Sequence, residues 1–316
     1  MMSANCTIKY KTLFGPVPSR RLGVSLGVDL VPHKTCSLNC VYCECGSTTH
    51  LTLKRDAYVP VDQVLTELND YLSRDEKIDH ITFSGSGEPT LNEGIGEIIQ
   101  FIKSDFPRYK VALLTNSTLF DRSEVRLQVK AADVIMASLD AATQPDFDKI
   151  NRPHPQIDLN AMVEGLAALR KMYSGRLLLE YFVVKGVNDS QQALEGLKPL
   201  ISKIDADGIL LNTLDRPAAE EWVRPVGANR LKKISDFLEE AEIVKYRSAA
   251  PAIESHRADM ITRLVATVRR RPYTVQDMSQ IMGLGVETLQ PVLDQLVDSN
   301  RLVVKPMGRG LFYMAR

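Results

Sequence analysis

Six times between residues 22 and 247, a short apolar, β-branched run gives way to a longer stretch with apolar positions at helical spacing. Residues 24–31 (V-S-L-G-V-D-L-V) open the series as a strand. Val61, Val64, Leu65, Leu68 and Leu72 then mark a helix over 61–74. Further strands are expected at 78–84, 111–115, 134–139, 177–184 and 208–211. Helices are expected at 95–106, 123–132, 144–151, 159–173, 190–203 and 229–241. Near-continuous apolar strands alternating with helices imply a parallel sheet covered by helices, so the fold class is α/β. Such sheets and barrels gather their ligand sites at the carboxyl ends of the strands. The unusual polar segments all follow strands here: a cysteine cluster, then S-G-S-G-E-P-T, T-N-S-T, S-L-D-A, V-K-G-V-N-D and N-T-L-D-R-P. One rim is expected to carry the chemistry.

The chain has five cysteines, four of them between residues 36 and 45. A secreted disulfide framework would use an even number spread along the chain, so the clustering points to a metal or redox site in a reducing compartment. Lys plus Arg and Asp plus Glu both number 39, so net charge favours neither nucleic acid nor an acidic ligand. The opening M-M-S-A-N-C-T-I-K-Y lacks a signal-peptide apolar run, and no later segment approaches roughly 18 uninterrupted apolar residues. These features lead to the expectation of a cytoplasmic protein with no membrane association.

Cys36, Cys40 and Cys43 read C-S-L-N-C-V-Y-C, a C-x3-C-x2-C spacing. Three thiolates on one loop suit three irons of a cubane cluster and leave a fourth iron open. A zinc site would want a fourth ligand, for which Cys45, His33 and His50 are near in sequence. Three buried thiols without a function are the remaining alternative.

This spacing after the first strand, with Tyr42 before the last cysteine, resembles the radical S-adenosylmethionine superfamily. The resemblance implies a partial parallel (β/α)6 TIM-like barrel in which Cys36, Cys40 and Cys43 bind a [4Fe–4S] cluster. S-adenosylmethionine would chelate the open iron. One electron would cleave it to methionine and a 5′-deoxyadenosyl radical that abstracts hydrogen from a substrate. A reductant of flavodoxin or ferredoxin type is implied as partner. Gly87-Glu88-Pro89 matches the motif that holds the methionine amino group, with Ser86 in place of the first glycine of the usual pair and Glu88 accepting from the amine. Asn116 falls where the methionine portion is contacted, and Ser138 and Asp140 where ribose hydroxyls are held. Residues 184–186, with Lys185, and Asn212 lie where the adenine is flanked. Gly186, Asn188 and Asp189 also suit a plain turn into the next helix. The segments V-P-S-R-R-L-G-V-S-L-G-V-D, C-V-Y-C-E-C-G, V-K-G-V-N-D and N-T-L-D-R-P resemble a subgroup of Fe–S oxidoreductases related to the wyosine-forming tRNA enzymes, over about residues 14–241. That kinship suggests a tRNA base as substrate, beside a peptide or protein and a small metabolite. Arg20, Arg21, Lys34, Lys185 and Arg216 would surround the rim, to bind a substrate phosphate or carboxylate or to balance the cofactor's charges. Cys6 and Cys45 are too few for an independent auxiliary cluster.

From about residue 257 the pattern changes to a helix at 260–269, a capped short helix with a glycine turn at 274–284, a third helix at 286–298 and two strands turning at M-G-R-G. That outline is a winged helix. The division is therefore 1–250 for the barrel and 257–316 for the module. Residues 257–316 hold nine Lys plus Arg against five Asp plus Glu. The would-be reading helix carries Glu287, Asp294 and Asp298 and no basic residue, a poor match to phosphates. Presenting a substrate, binding a protein or dimerising is the favoured role over nucleic-acid binding. A non-enzymatic alternative is a DNA-binding regulator that senses redox state through its cluster, which would have no use for Gly87-Glu88-Pro89.

Overall fold

The computed structural model describes residues 10–239, 241–244 and 260–316. A hairpin of β1 (Leu13–Ser19) and β2 (Gly23–Val28) leads into a long loop holding the two-residue strands β3 (Thr35–Cys36) and β4 (His50–Leu51). Then follow α1 (Val61–Leu72), β5 (His80–Phe83), α2 (Ile95–Asp105), β6 (Lys110–Thr115), α3 (Ser123–Val129) and β7 (Val134–Ser138). The series continues through α4 (Gln144–Asn151), α5 (Leu159–Met172), β8 (Arg176–Phe182), α6 (Gln191–Ile204), β9 (Gly208–Asn212), α7 (Ala228–Phe237) and β10 (Glu242–Ile243).

These strands form one sheet in the order β1-β2-β5-β6-β7-β8-β9-β10, in which every pairing after β1–β2 is parallel. The edge strands β1 and β10 do not pair with each other, so the sheet stays open. Alternate residues serve two faces. Val28, Ile81, Phe83, Val111, Leu113, Ile135 and Leu179 pack under the helices, against α1 through Val64, Leu68 and Leu72. Each such side chain, fully buried, contributes about 1.5–3 kcal/mol. The other face is smaller and partly polar: Ser25, Thr82, Ala112, Met136 and Leu178, with Ser25 and Thr82 sharing a hydroxyl contact of 2.5 Å. Because the strands run parallel, the loops after β2, β5, β6, β7, β8 and β9 share one edge, as the sequence led us to expect.

The sheet has eight strands rather than the six expected. β1 reads L-F-G-P-V-P-S, whose glycine and two prolines resemble a loop. Proline is tolerated there because β1 is an edge strand paired on one side only. β10 spans two residues, too short for a periodic signal.

In the C-terminal segment, α8 (Met260–Arg270), β11 (Tyr273–Thr274), α9 (Val275–Met282), α10 (Val286–Asp298), β12 (Leu302–Met307) and β13 (Gly310–Ala315) follow in turn. Its sheet has the antiparallel order β11-β13-β12. Thr274 and Asp277 form a reciprocal capping box at the start of α9, and Gly283 ends that helix in the left-handed conformation. Leu264, Met278, Leu289, Leu293 and Tyr313 build a small core that also takes in Val17 of β1. Arg216, after β9, donates to the Pro272 carbonyl at 2.5 Å and reaches Asp277 at 3.1 Å. Arg309 grips Asp215 at 2.8 and 2.9 Å. Among the described residues, no helix is long and apolar enough to cross a membrane.

Candidate active site

The cysteines sit on the loop that leaves β2. That loop is pinned to the one after β5 by backbone bonds from Lys34 N to Ser86 O (2.9 Å) and from Glu88 N to Thr35 O (3.1 Å). A side chain at position 87 would place its Cβ 2.0 Å from the Thr35 carbonyl oxygen, so only glycine allows this approach. Gly87 therefore brings the two loops together.

The three sulfurs are half-buried, and each meets one N–H donor from a different part of the chain. Lys34 Nζ lies 3.1 Å from Cys43 Sγ, Asn151 Nδ2 3.4 Å from Cys40 Sγ, and Asn116 Nδ2 3.5 Å from Cys36 Sγ. Burial, reinforced by the Glu88 carboxylate, pushes the Cys36 thiol up to about 12. Burial likewise pushes Cys40 well above its ordinary value. Cys43 falls to about 6, held there by the Cys45 thiol and by Lys34. One thiol is thus ready to ionise, and the other two need a cationic centre to deprotonate them. Among the described residues, no three His, Cys, Asp or Glu side chains converge on a single-ion site. Cubane ligands stand farther apart, each on its own iron. A soft, all-sulfur donor set with an N–H at each sulfur fits such a cluster.

Two buried carboxylates brace this loop. Glu88 Oε1 accepts from Thr90 N (3.0 Å), Thr90 Oγ1 (2.5 Å) and Thr115 Oγ1 (2.7 Å), and Oε2 accepts from Asn116 N (2.8 Å). Oε1 thus takes three donors and Oε2 one, where each oxygen offers roughly two lone-pair positions. Through Oε2, Glu88 fixes Asn116, whose amide reaches both Cys36 and Ser37 Oγ (2.8 Å). Asp140 is held in a similar way. Its Oδ2 accepts from Tyr42 Oη (2.5 Å) and Asn151 Nδ2 (2.7 Å), and its Oδ1 from Phe182 N (2.9 Å). Burial raises its carboxyl to about 6. Tyr42 stacks on Phe182 with ring centroids 3.8 Å apart, which fixes the residue before Cys43.

The structure thus joins Cys36, Asn116, Glu88 and Gly87 in one network, and Cys40, Asn151, Asp140 and Tyr42 in another. Asn212 belongs to a third, donating to Glu180 at 2.7 Å, where Arg21 also pairs. Ser138 takes part only through its backbone, accepting from Ser117 Oγ at 3.1 Å. Lys185 is exposed in the turn after β8 and makes no ion pair among the described residues. Nothing brings it to the sulfurs. Asn188 acts in the turn, its amide donating to Asp140 O and Phe182 O. Cys45 donates to Gly85 O at 3.7 Å, and Cys6 lies outside the described residues. Sequence reasoning missed Asn151, at the end of a helix and more than a hundred positions from Cys40, and no local pattern marks it.

Comparison with known proteins agrees with this geometry. The family model described as the radical SAM superfamily matches residues 30–195. A UPF0026 protein of Helicobacter pylori is 30% identical over 305 residues, covering 96% of this chain and 97% of its own length. A protein of Brachyspira hyodysenteriae named GTPase Obg is 33% identical over 304 residues, 93% of this chain, yet the chain spans only 44% of that relative. A GTPase phosphate loop would need G-x-x-x-x-G-K-S/T, which this sequence lacks. Among solved structures, a radical SAM methyltransferase from Sphaerobacter thermophilus superposes with a TM-score of 0.53 at 17% identity, over 72% of this chain and 67% of that one. That likeness is one of fold.

Proposed function

Because the chain belongs to the radical S-adenosylmethionine superfamily, we propose that Cys36, Cys40 and Cys43 hold a [4Fe–4S] cluster and that the protein is an enzyme cleaving S-adenosylmethionine reductively. The observation that carries this reading is the loop itself: three cysteines at the strand-end rim, each with an N–H donor aimed at its sulfur. Bound there, the cluster supplies the electron that releases a hydrogen-abstracting 5′-deoxyadenosyl radical from S-adenosylmethionine.

The chain's own residues position these groups. Lys34 sets a positive charge against Cys43 and offsets negative charge gathered on the sulfurs. Asn116 and Asn151 donate to the other two sulfurs and are themselves fixed by Glu88 and Asp140. Gly87 seats the loop after β5 against the cysteine loop on the methionine side of the site, and Ser138 supplies a hydroxyl at the rim for the nucleoside side. Tyr42, Asn212 and Asp140 shape that side from behind. A one-electron reductant of flavodoxin or ferredoxin type delivers the electron. The C-terminal helices and sheet form a winged-helix module that serves the barrel rather than nucleic acid, since the outward residues of α10 include Glu287, Asp294 and Asp298.

The test is anaerobic reconstitution with iron and sulfide, reduction with dithionite in the presence of S-adenosylmethionine, and chromatographic assay of 5′-deoxyadenosine. The expected outcome is slow formation that disappears in Cys40→Ala. A chain that takes up zinc and no iron would contradict the proposal.

A further inference from the structure

A cavity of about 210 Å³ lies where the lumen face of the sheet meets the C-terminal segment. Ser25, Thr82 and Leu114 form its inner wall, and Tyr273, Gln280 and Ile281 close it from outside. None of the residues assigned above to the cofactor lines it. Glu44 and Cys45, immediately beyond the last cluster cysteine, do. The cavity is thus a second compartment beside the cysteine loop.

Its charge is distinctive. Arg20 and Arg21 enter from the β1–β2 turn, Arg216 from the loop after β9, and Arg270 and Arg271 from the end of α8. Two carboxylates, Glu44 and Asp277, share the lining with them, and Glu180 and Asp29 pair with Arg21 and Arg270 from outside it. Both are divided: Glu44 lies 3.4 Å from Arg216 and 3.9 Å from Arg271, and Asp277 serves Arg216 and Arg309. Asp215, paired with Arg20 at 3.8 Å, is already gripped by both arms of Arg309. Among the described residues, the buried Nε of Arg21 has no hydrogen-bond acceptor. Six guanidiniums, Arg309 among them, thus face five carboxylates in a partly dry space, and an anion with several oxygens completes their donors, since the planar fork of arginine matches phosphate and carboxylate alike.

We propose that this cavity is the substrate pocket, that it takes a small molecule bearing a phosphate or carboxylate group, and that the C-terminal segment completes it through Arg270 and Arg271. The proposal rests on the cofactor reading above for the word substrate; the anion site itself is formed by protein alone. It gives the C-terminal segment a role at the site that its lack of basic residues on α10 leaves open.

The test is calorimetric titration of the full chain, both with and without a reconstituted cluster, using inorganic phosphate, pyrophosphate and succinate in turn. One saturable site is expected for at least one of them, and the phosphate arms against succinate tell which oxyanion is preferred. The dissociation constant should rise about tenfold or more in Arg20→Gln and in Arg271→Gln, the loss expected for one charge-assisted contact. It should stay within about twofold in Arg74→Gln, which changes an exposed arginine after α1. Circular dichroism checks that each variant folds, and if Arg271→Gln does not, Arg20→Gln decides alone, its ion pair among the described residues being a long one. Absence of saturable binding for all three anions overturns the proposal, as does binding that neither substitution weakens. A folded Arg271→Gln that binds normally beside a weakened Arg20→Gln overturns the part assigned to the C-terminal segment. Since the cluster-free chain is titrated too, failure to form deoxyadenosine would sink the cofactor reading and leave this result readable.

Discussion

Replacing Glu88 with glutamine separates a brace from a ligand. In the folded chain its two oxygens take four donors at 2.5 to 3.0 Å. Glutamine keeps one oxygen for the Thr90 and Thr115 donors and turns an NH2 toward the Asn116 N–H. An unpaired buried donor costs about 1–3 kcal/mol, and the three remaining bonds lose their charge assistance. Part of this is offset, because burial already holds the Glu88 carboxyl above its ordinary value and glutamine carries no charge to desolvate. The net expectation is a loss of about 2 kcal/mol, which for a chain of this size lowers Tm by about 3 °C. Thermal unfolding of the cluster-free chain, followed by circular dichroism, reads it. Calorimetric binding of S-adenosylmethionine to the reconstituted protein reads the other half and should weaken by less than about tenfold, because Glu88 acts through Asn116. A variant that melts like the parent while losing more than that in affinity would refute the argument and make Glu88 a direct ligand of the amine.

Glu67 gives a pH prediction away from the cluster. Burial works to raise its carboxyl, but the Thr12 hydroxyl and the Thr12 and Lys11 amides outweigh this and hold it below the ordinary 4.5. A depressed carboxyl contributes stability that is present above its unfolded value and lost as pH falls through its folded value. Urea titrations of Glu67→Gln should therefore show a deficit at neutral pH that narrows below about pH 4.5. Asn151→Leu removes the donor to Cys40 Sγ, and a redox titration should find a more negative cluster potential, since hydrogen bonds to the sulfurs favour the reduced state. Asp277→Ala strips buried Arg216 and Arg309 of a shared partner and α9 of its capping box; denaturant unfolding should register a loss of about 3–5 kcal/mol.

The parts of this molecule visible in its sequence are those fixed by nearby residues. The helix at 144–151 was readable because Thr143 caps it and its apolar residues fall on one face; α10 announced itself by the glycines before it and by Leu289, Leu293 and Leu296. The cysteine loop was legible because its ligands lie within eight positions. β1 was hidden by its prolines, and with it the seat that Val17 offers the C-terminal core. Asn151, Glu180, Arg270 and Arg271 reach the site across tens of positions or more, and only the folded sheet edge brings them there. The bracing bonds of Glu88 and Asp140 were not legible, because a motif names the residue but not which neighbours reach its oxygens.

The most direct measurement is electron paramagnetic resonance of the anaerobically reconstituted, dithionite-reduced chain, recorded with and without S-adenosylmethionine. With Cys36, Cys40 and Cys43 as the protein ligands and one iron open, the reduced-cluster signal should shift when S-adenosylmethionine is added. It should vanish when any of those three is replaced by alanine and persist in Cys45→Ala. A signal indifferent to S-adenosylmethionine, or one abolished by Cys45→Ala, would contradict the account.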